Sequence, residues 1–280
     1  MRLEPNELRK RLVGSSTLAP WQQTFGRSLT QLSDQQFLEM FFPERVFYTA
    51  RKFIEATTRE VKRITADNSG PVLEIGSGAG NLTRTLAHSG IKDIVGLDLD
   101  DAAIECARAI SDAEGLDITF TQGSYSSDDE IQPEQYSVIL CISVLEHVVE
   151  YKQWLERMYR DLIPGGAVVL VVPSVLGGWS LTHDFDWRHM KWKAQPYNYH
   201  PGQHCNHFWF RGLVADFATF GFVLEKVHKN QAYLAPVAYV LHRLRLRRLV
   251  RPLSRPDYWV SQVLPNDLAT RICVFRKPFE

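Results

Sequence analysis

The chain has 280 residues, 45% of them hydrophobic, with Lys+Arg and Asp+Glu equal at 32 each. That length allows one large domain or one domain with an appendage, and the apolar fraction suits a globular protein with a sizeable core. The balanced charge excludes a global field that would draw the chain to nucleic acid or an acidic membrane, so only a local basic patch could do so.

In chain order, residues 1–66 read as a helical extension. From Pro43 onward, Val46, Ala50, Phe53, Ile54, Thr57, Val61 and Ile64 recur at helical spacing and predict one apolar stripe. The opening "MRLEPNELRKRLVGSS" lacks the apolar core of a signal peptide. The most apolar run, "GAVVLVVPSVLGG", is broken by Pro173 and too short to span a bilayer, so the expectation is a soluble, cytoplasmic protein.

Strand and helix signals then alternate. Strands are predicted at "PVLEIG", "DIVGLD", "DITFTQ", "YSVILCI" and "GAVVLVVP", whose largely apolar character suits a parallel sheet buried on both faces. Helices are predicted at "NLTRTLAHS", "DDAAIECARAISDAEG" and "EYKQWLERMYRDLI", the last stopped by Pro164-Gly165-Gly166. Repeated βα units of this kind mean a doubly wound α/β sheet, with ligands at the carboxyl ends of its strands. Residues 174–208 form an irregular, aromatic-rich connection, and residues 230–268 separate a strand-like "GFVLEKVH" from a final strand-like "TRICVFRK". The expected division is 1–66, a core of 67–229 plus 269–280, and a basic insertion at 230–268. Cys106, Cys141, Cys205 and Cys273 form no C-x-x-C pair and read as reduced thiols.

"PVLEIGSGAGNLT" carries the first functional signal, with Gly76, Gly78 and Gly80 alternating with Ser77 and Ala79. A glycine-rich turn between strand and helix lets the backbone approach a ligand beside a helix N-terminus. A dinucleotide fingerprint would need glycine at 81, where Asn81 stands; the pattern here is E-x-G-x-G-x-G, with Glu74 inside the strand.

This pattern resembles the first motif of class I S-adenosylmethionine-dependent methyltransferases, and further motifs follow in the family's order. "VGLDLDDAAIECAR" is similar to the adenosine-binding segment, "TQGSY" to the third strand's end, and "VILCISVLEHV" and "RDLIPGGAVVLVVP" to the fourth and fifth strands. "HFWFRGLVADFATFGFVLEKV" resembles the ubiquinone-biosynthesis-like branch. The resemblance implies a mostly parallel seven-stranded sheet and S-adenosylmethionine as cofactor. The cofactor would be held by Glu74, Gly76, Ser77, Gly78, Gly80, Asp98, Leu99, Ser124 and Cys141, with Asp98 on the ribose hydroxyls. The chain departs from the pattern at Ser124 and Ser137, where relatives often carry acids.

His147 in "VLEHV" is a candidate general base, since an imidazole with a pKa near ~6.5 suits proton removal from an acceptor. The alternative is that Glu146-His147 only braces a helix. Relatives with a metal carry E-x-x-E-H here; Ser143 replaces the first carboxylate, so no metal is expected at that spot. The connection at 179–209 should form an aromatic acceptor chamber, with His204 and His207 nearest the returning helix and His204 a second catalytic candidate. His200, His204, Cys205 and His207 match no trusted zinc spacing.

From Lys226 to Pro256 there are eight Lys or Arg and no acid. That segment reads as a solvated basic face, with nucleic acid or anionic lipid as the alternative partner. The expected activity is methylation of a small-molecule acceptor, on oxygen. The alternatives are RNA ribose or ring-nitrogen methylation, a non-catalytic cofactor-binding protein, and a nicotinamide-dependent reductase. The N-terminal helices and the insertion could cover the acceptor or pair two chains; a homo-oligomer stays open.

Overall fold

The computed structural model describes residues 3–13, 33–125, 134–176, 185–186, 191–192, 204–232 and 249–279, with the single positions 237, 241, 244 and 246. Helices α1 (Pro5–Val13), α2 (Asp34–Phe41), α3 (Pro43–Val46) and α4 (Tyr48–Asp67) precede the first strand. Seven strands then build one sheet: β1 (Val72–Ile75), β2 (Ile94–Asp98), β3 (Thr119–Gln122), β4 (Tyr136–Ile142), β5 (Leu162–Val172), β6 (Val223–Gln231) and β7 (Thr270–Arg276). Between them lie α5 (Asn81–His88), α6 (Asp101–Glu114), α7 (Tyr151–Asp161), α8 (Phe210–Thr219) and α9 (Val250–Val263). Residues 185–186 and 191–192 pair as a short antiparallel ribbon.

The strand order is β3-β2-β1-β4-β5-β7-β6. Strands β1 to β5 run parallel, and β7 lies antiparallel between β5 and β6. The order reverses between β1 and β4, which opens a crevice at their carboxyl ends. One face packs Leu73, Ile139, Leu170, Met158 and Phe217 under α7 and α8. The other packs Val72, Val138 and Val169 against Val61 and Ile64 of α4 and Leu86 of α5. Alternate residues of each buried strand thus serve opposite layers, which is why the strands read as largely apolar runs. Leu8, Leu12, Phe37 and Phe41 of α1 and α2 close over Cys106 and Ile110 of α6. Each such side chain is worth roughly 1.5–3 kcal/mol of burial.

Local chemistry sets the element ends. Ser33 and Gln36 form a reciprocal capping box at the start of α2. Asp100 caps α6 by accepting from the backbone N–H groups of Ala102 and Ala103, and α6 stops at Gly115 in the left-handed region. Helix α7 ends at Asp161, earlier than the glycines suggested. Strand β5 carries Pro164-Gly165-Gly166 as an irregularity instead: Leu162 pairs with Tyr136 and Ala167 with Val138.

The predicted stripe from Pro43 is interrupted at Phe47, whose extended backbone separates α3 from α4. The buried face of α4 is Thr49, Ala56, Thr57, Glu60, Val61 and Ile64, so a carboxylate lies within it. Glu60 accepts from Arg63 at 2.9 Å and Lys226 at 3.2 Å and is paired with His228 at 2.9 Å. Burial alone would raise its pKa; these hydrogen bonds outweigh that and hold it at about 2.

Helix α9 inverts the usual amphipathic pattern. It buries Ser254, Asp257 and Ser261, while Trp259, Val260 and Val263 are exposed. The polar side is what docks it. Ser254 Oγ accepts the Tyr48 N–H at 3.0 Å, and the Asp257 carboxylate accepts the Ala232 N–H at 3.2 Å. Arg251 and Arg255 are exposed at its start. Arg243, Arg245, Arg247 and Arg248 of the basic segment lie outside the described residues. Among the described residues no helix is long and apolar enough to cross a membrane. Cys106, Cys141, Cys205 and Cys273 are free thiols.

Candidate active site

The turn after β1 sits in the crevice. Gly76, Gly78 and Gly80 have φ of 71°, 52° and 72°. A Cβ on Gly76 would come within 2.3 Å of Val144, and one on Gly80 within 2.7 Å of the Phe120 ring. Packing and backbone sense therefore both demand glycine at those two positions. The Gly76 and Ser77 N–H groups donate to Leu97 O at 2.7 and 3.0 Å, which staples the turn to the end of β2.

The carboxylate of Asp98 points at this turn. Its Oδ2 accepts the Gly78 N–H at 2.7 Å and its Oδ1 accepts the Asp100 N–H at 2.9 Å. An ionised carboxylate has about four acceptor positions, so two stay available for hydroxyls of a ligand. Beyond it lies a cavity of about 540 Å³ whose walls include Gly76, Asp98, Leu99, Ser124, His147 and Trp154. Leu99 is half exposed at its rim.

Five of the sequence-predicted residues thus meet at one cavity: Gly76, Asp98, Leu99, Ser124 and His147. Ser77, Gly78 and Gly80 shape the turn without lining the cavity. Glu74 and Cys141 do not reach it. Glu74 is buried and accepts a short hydrogen bond from the Thr83 hydroxyl, tying β1 to the first turn of α5. Burial pushes its pKa up to about 7. Cys141 is fully buried in β4, and its thiol is pushed up by the same cause. Glycine spacing places a carboxylate in the strand but does not say which way it faces.

Several wall residues were not singled out by sequence. Trp154 packs edge-on to Tyr125 with ring centroids 5.2 Å apart. Tyr125 is buried, its hydroxyl donating to Asp161 Oδ2 at 3.0 Å, and Arg157 bonds both Asp161 and the Tyr125 carbonyl. This network pins the segment after β3 to α7 and so places Ser124. No local pattern announces it, because the partners lie 32 and 36 residues apart.

His147 ends a short 3₁₀ turn, Leu145–His147, just past β4. Its ring meets that of buried His204 at 66°, with centroids 5.0 Å apart. The Cys205 and Asn206 N–H groups donate to Glu146 O at 2.9 and 3.1 Å, which brings the distant segment here. His204 does not line the cavity, so it reaches it through His147. Potential ligand atoms of Glu146, His147 and His204 lie within 4.8 Å of one another. One carboxylate and two imidazoles are a donor set that could hold a divalent ion. The expectation of no metal rested on Ser143 and did not count His204 as a third donor. Cys205 is not in this group; its thiol donates to Glu146 O. His200 and most of 179–209, with the expected aromatic chamber, lie outside the described residues.

A reversed α/β sheet, a glycine turn locked to an acid on the next strand, and a cavity between them define a nucleoside-binding site of the Rossmann-like methyltransferase type. The family model of a methyltransferase domain matches residues 44–227, and the chain belongs to that family of S-adenosylmethionine-dependent methyltransferases. Among curated proteins it is similar to the ubiquinone biosynthesis O-methyltransferases of Pseudomonas entomophila (32% identical over 97 residues) and Photorhabdus laumondii (31% over 97 residues). Each match covers 35% of this chain, which spans about two fifths of the length of these relatives (41% and 40%). Among solved structures, a candidate sarcosine dimethylglycine methyltransferase of Galdieria sulphuraria superposes with a TM-score of 0.57 at 15% identity, covering 81% of this chain and 85% of that one. The Haemonchus contortus phosphoethanolamine N-methyltransferase 2, in complex with S-adenosyl-L-methionine, gives 0.50 at 16%, covering 79% and 51%. Both share the fold.

Proposed function

We propose that the chain transfers a methyl group from S-adenosylmethionine to an oxygen of a small-molecule acceptor. The carrying observation is the Asp98 carboxylate, locked to Gly78 at the cavity edge with acceptor capacity to spare. Those free positions fit the two hydroxyls of a ribose. Leu99, Ser124 and Trp154 fit the faces and edge of an adenine, and the bare peptide at Gly76 fits a close-lying amino-acid tail.

When bound, the sulfonium supplies an electrophilic methyl: an acceptor oxygen lone pair forms the C–O bond, the S–C pair returns to sulfur, and the oxygen gives up a proton. His147, on the cavity wall, receives that proton, and His204 holds its ring in place. Leu99, Tyr125 and Trp154 give the site an apolar and aromatic side. The small-molecule reading is favoured over RNA because the described walls of the cavity carry no Lys or Arg for phosphates.

Incubating the protein with labelled S-adenosylmethionine and a metabolite extract, then locating the label by mass spectrometry, tests this reading. A methyl ether on a small molecule supports it. Label on added RNA, or none on any molecule despite tight cofactor binding, contradicts it.

A further inference from the structure

A second cavity, about 430 Å³ in volume, opens on the other side of the end of β4. Ile142 and Ser143 line both it and the larger cavity, so the two are neighbours across a single strand end. Its apolar wall is Phe47 just before α4, Phe53 in the second turn of α4, Val171 from the end of β5, and Val250 from the start of α9. Asn230 and Gln231, at the end of β6, form a polar edge. Asn230 is 8% exposed, and its side-chain oxygen is buried with no hydrogen-bond partner among the described residues. No charged side chain stands on the described wall.

At the joint, Ser143 has φ of +55°, in the left-handed region, and its N–H donates to Val171 O at 2.8 Å. A serine held there is uncommon, and such strain is kept where the surroundings impose it, often beside a ligand. The helical extension and the insertion, for which sequence left open covering the acceptor or pairing two chains, converge on this cavity. Besides the bond from Tyr48 to Ser254, the Tyr48 and Tyr258 rings meet edge-on at 5.4 Å.

We propose that this second cavity is the acceptor site, and that its occupant is an uncharged, flat, largely apolar ring system carrying a hydroxyl. The inference rests on the methyltransferase reading above and adds the place and chemistry of the acceptor. The volume falls within the roughly 300–1,000 Å³ of small-molecule sites. Aromatic and aliphatic walls take the ring faces, and the Asn230 edge takes a hydroxyl donor. A carboxylated or phosphorylated ring would lose its hydration here without meeting a counter-charge. Ser143 is the passage between the methyl donor on one side and the ring hydroxyl on the other.

The test uses calorimetry on the full chain saturated with S-adenosylhomocysteine, with 2,3-dihydroxynaphthalene as neutral probe and 3-hydroxy-2-naphthoate as anionic probe. The neutral probe should bind about tenfold more tightly than the anionic one. Ala50→Phe, which fills the cavity from the first turn of α4, should weaken the neutral probe at least about tenfold while S-adenosylhomocysteine affinity stays within about twofold. The comparison of the two probes on the unaltered chain holds even if the variant fails to fold. No binding of the neutral probe, equal affinity for the two probes, or a folded Ala50→Phe that binds as well as the parent overturns the assignment. Failure of S-adenosylhomocysteine itself to bind is a separate result, and it removes the cofactor reading together with this one.

Discussion

Replacing Glu74 by Gln tests the claim that this acid braces the glycine turn from behind. Burial raises its pKa from 4.5 to about 7, despite the hydrogen bonds from Thr83. A carboxyl that is harder to ionise in the folded chain stabilises the fold below pH 4.5 and loses that contribution as pH rises through about 7. At 1.36 kcal/mol per pKa unit, the whole loss is about 3 kcal/mol, of which roughly 2–3 falls between pH 5 and pH 8. The neutral amide keeps the shape and can still accept from Thr83, but does not titrate. Urea unfolding followed by tryptophan fluorescence at pH 5, 6.5 and 8 should therefore show the parent losing about 2–3 kcal/mol more than Glu74→Gln. Thr83→Val, which removes the hydroxyl that favours the charged form, should steepen the parent's decline. Parallel pH profiles for parent and Glu74→Gln would refute the argument and place the carboxylate in a solvated or ion-paired setting.

Glu60 predicts the opposite pH dependence. Its hydrogen-bonded carboxylate, held at about 2, stabilises the fold above pH 4.5 and loses that contribution as pH falls through about 2. Glu60→Gln should thus lower thermal stability at pH 7, and the gap to the parent should close on acidification; a constant gap contradicts the pairing with Arg63, Lys226 and His228. His147→Ala should cut turnover by about 10²–10⁴ with S-adenosylhomocysteine affinity nearly unchanged, and full activity would exclude it as the base. His204→Ala should lower turnover less and move the pH profile of kcat, since it acts on the His147 ring; an unaltered profile would leave it only a packing role.

The central sheet was legible because burial on both faces makes β1, β2, β4 and β5 predominantly apolar, with Glu74 and Asp98 the acidic exceptions. The seventh strand, near "TRICVFRK", showed the same way. The sixth, near "GFVLEKVH", is a partly exposed edge strand, and only Phe222, Val223, Leu224 and Val227 marked it. The meeting of the glycine turn with Asp98 was legible because positive-φ backbone and an acid at the end of the next strand leave few residue types to choose from. The carboxylate of Glu74 was placed in the right strand, but its bond to Thr83 was not legible, because a strand residue's face depends on which layer lies above it. Helix α9 was not legible. Its buried stripe of Ser254, Asp257 and Ser261 is polar, because it docks on the backbone N–H groups of Tyr48 and Ala232 rather than on a core. The meeting of His147 with His204, across 57 positions of chain, is tertiary and leaves no periodic trace. The same holds for the cavity shared by α4, β6 and α9.

The measurement closest to the central claim is calorimetric titration of S-adenosylhomocysteine into the parent chain and into Asp98→Ala. One site per chain is expected, with a loss of about 1–3 kcal/mol in the variant as ribose hydroxyls lose their partner. Equal affinity in the two proteins, or no binding to the parent, would contradict it.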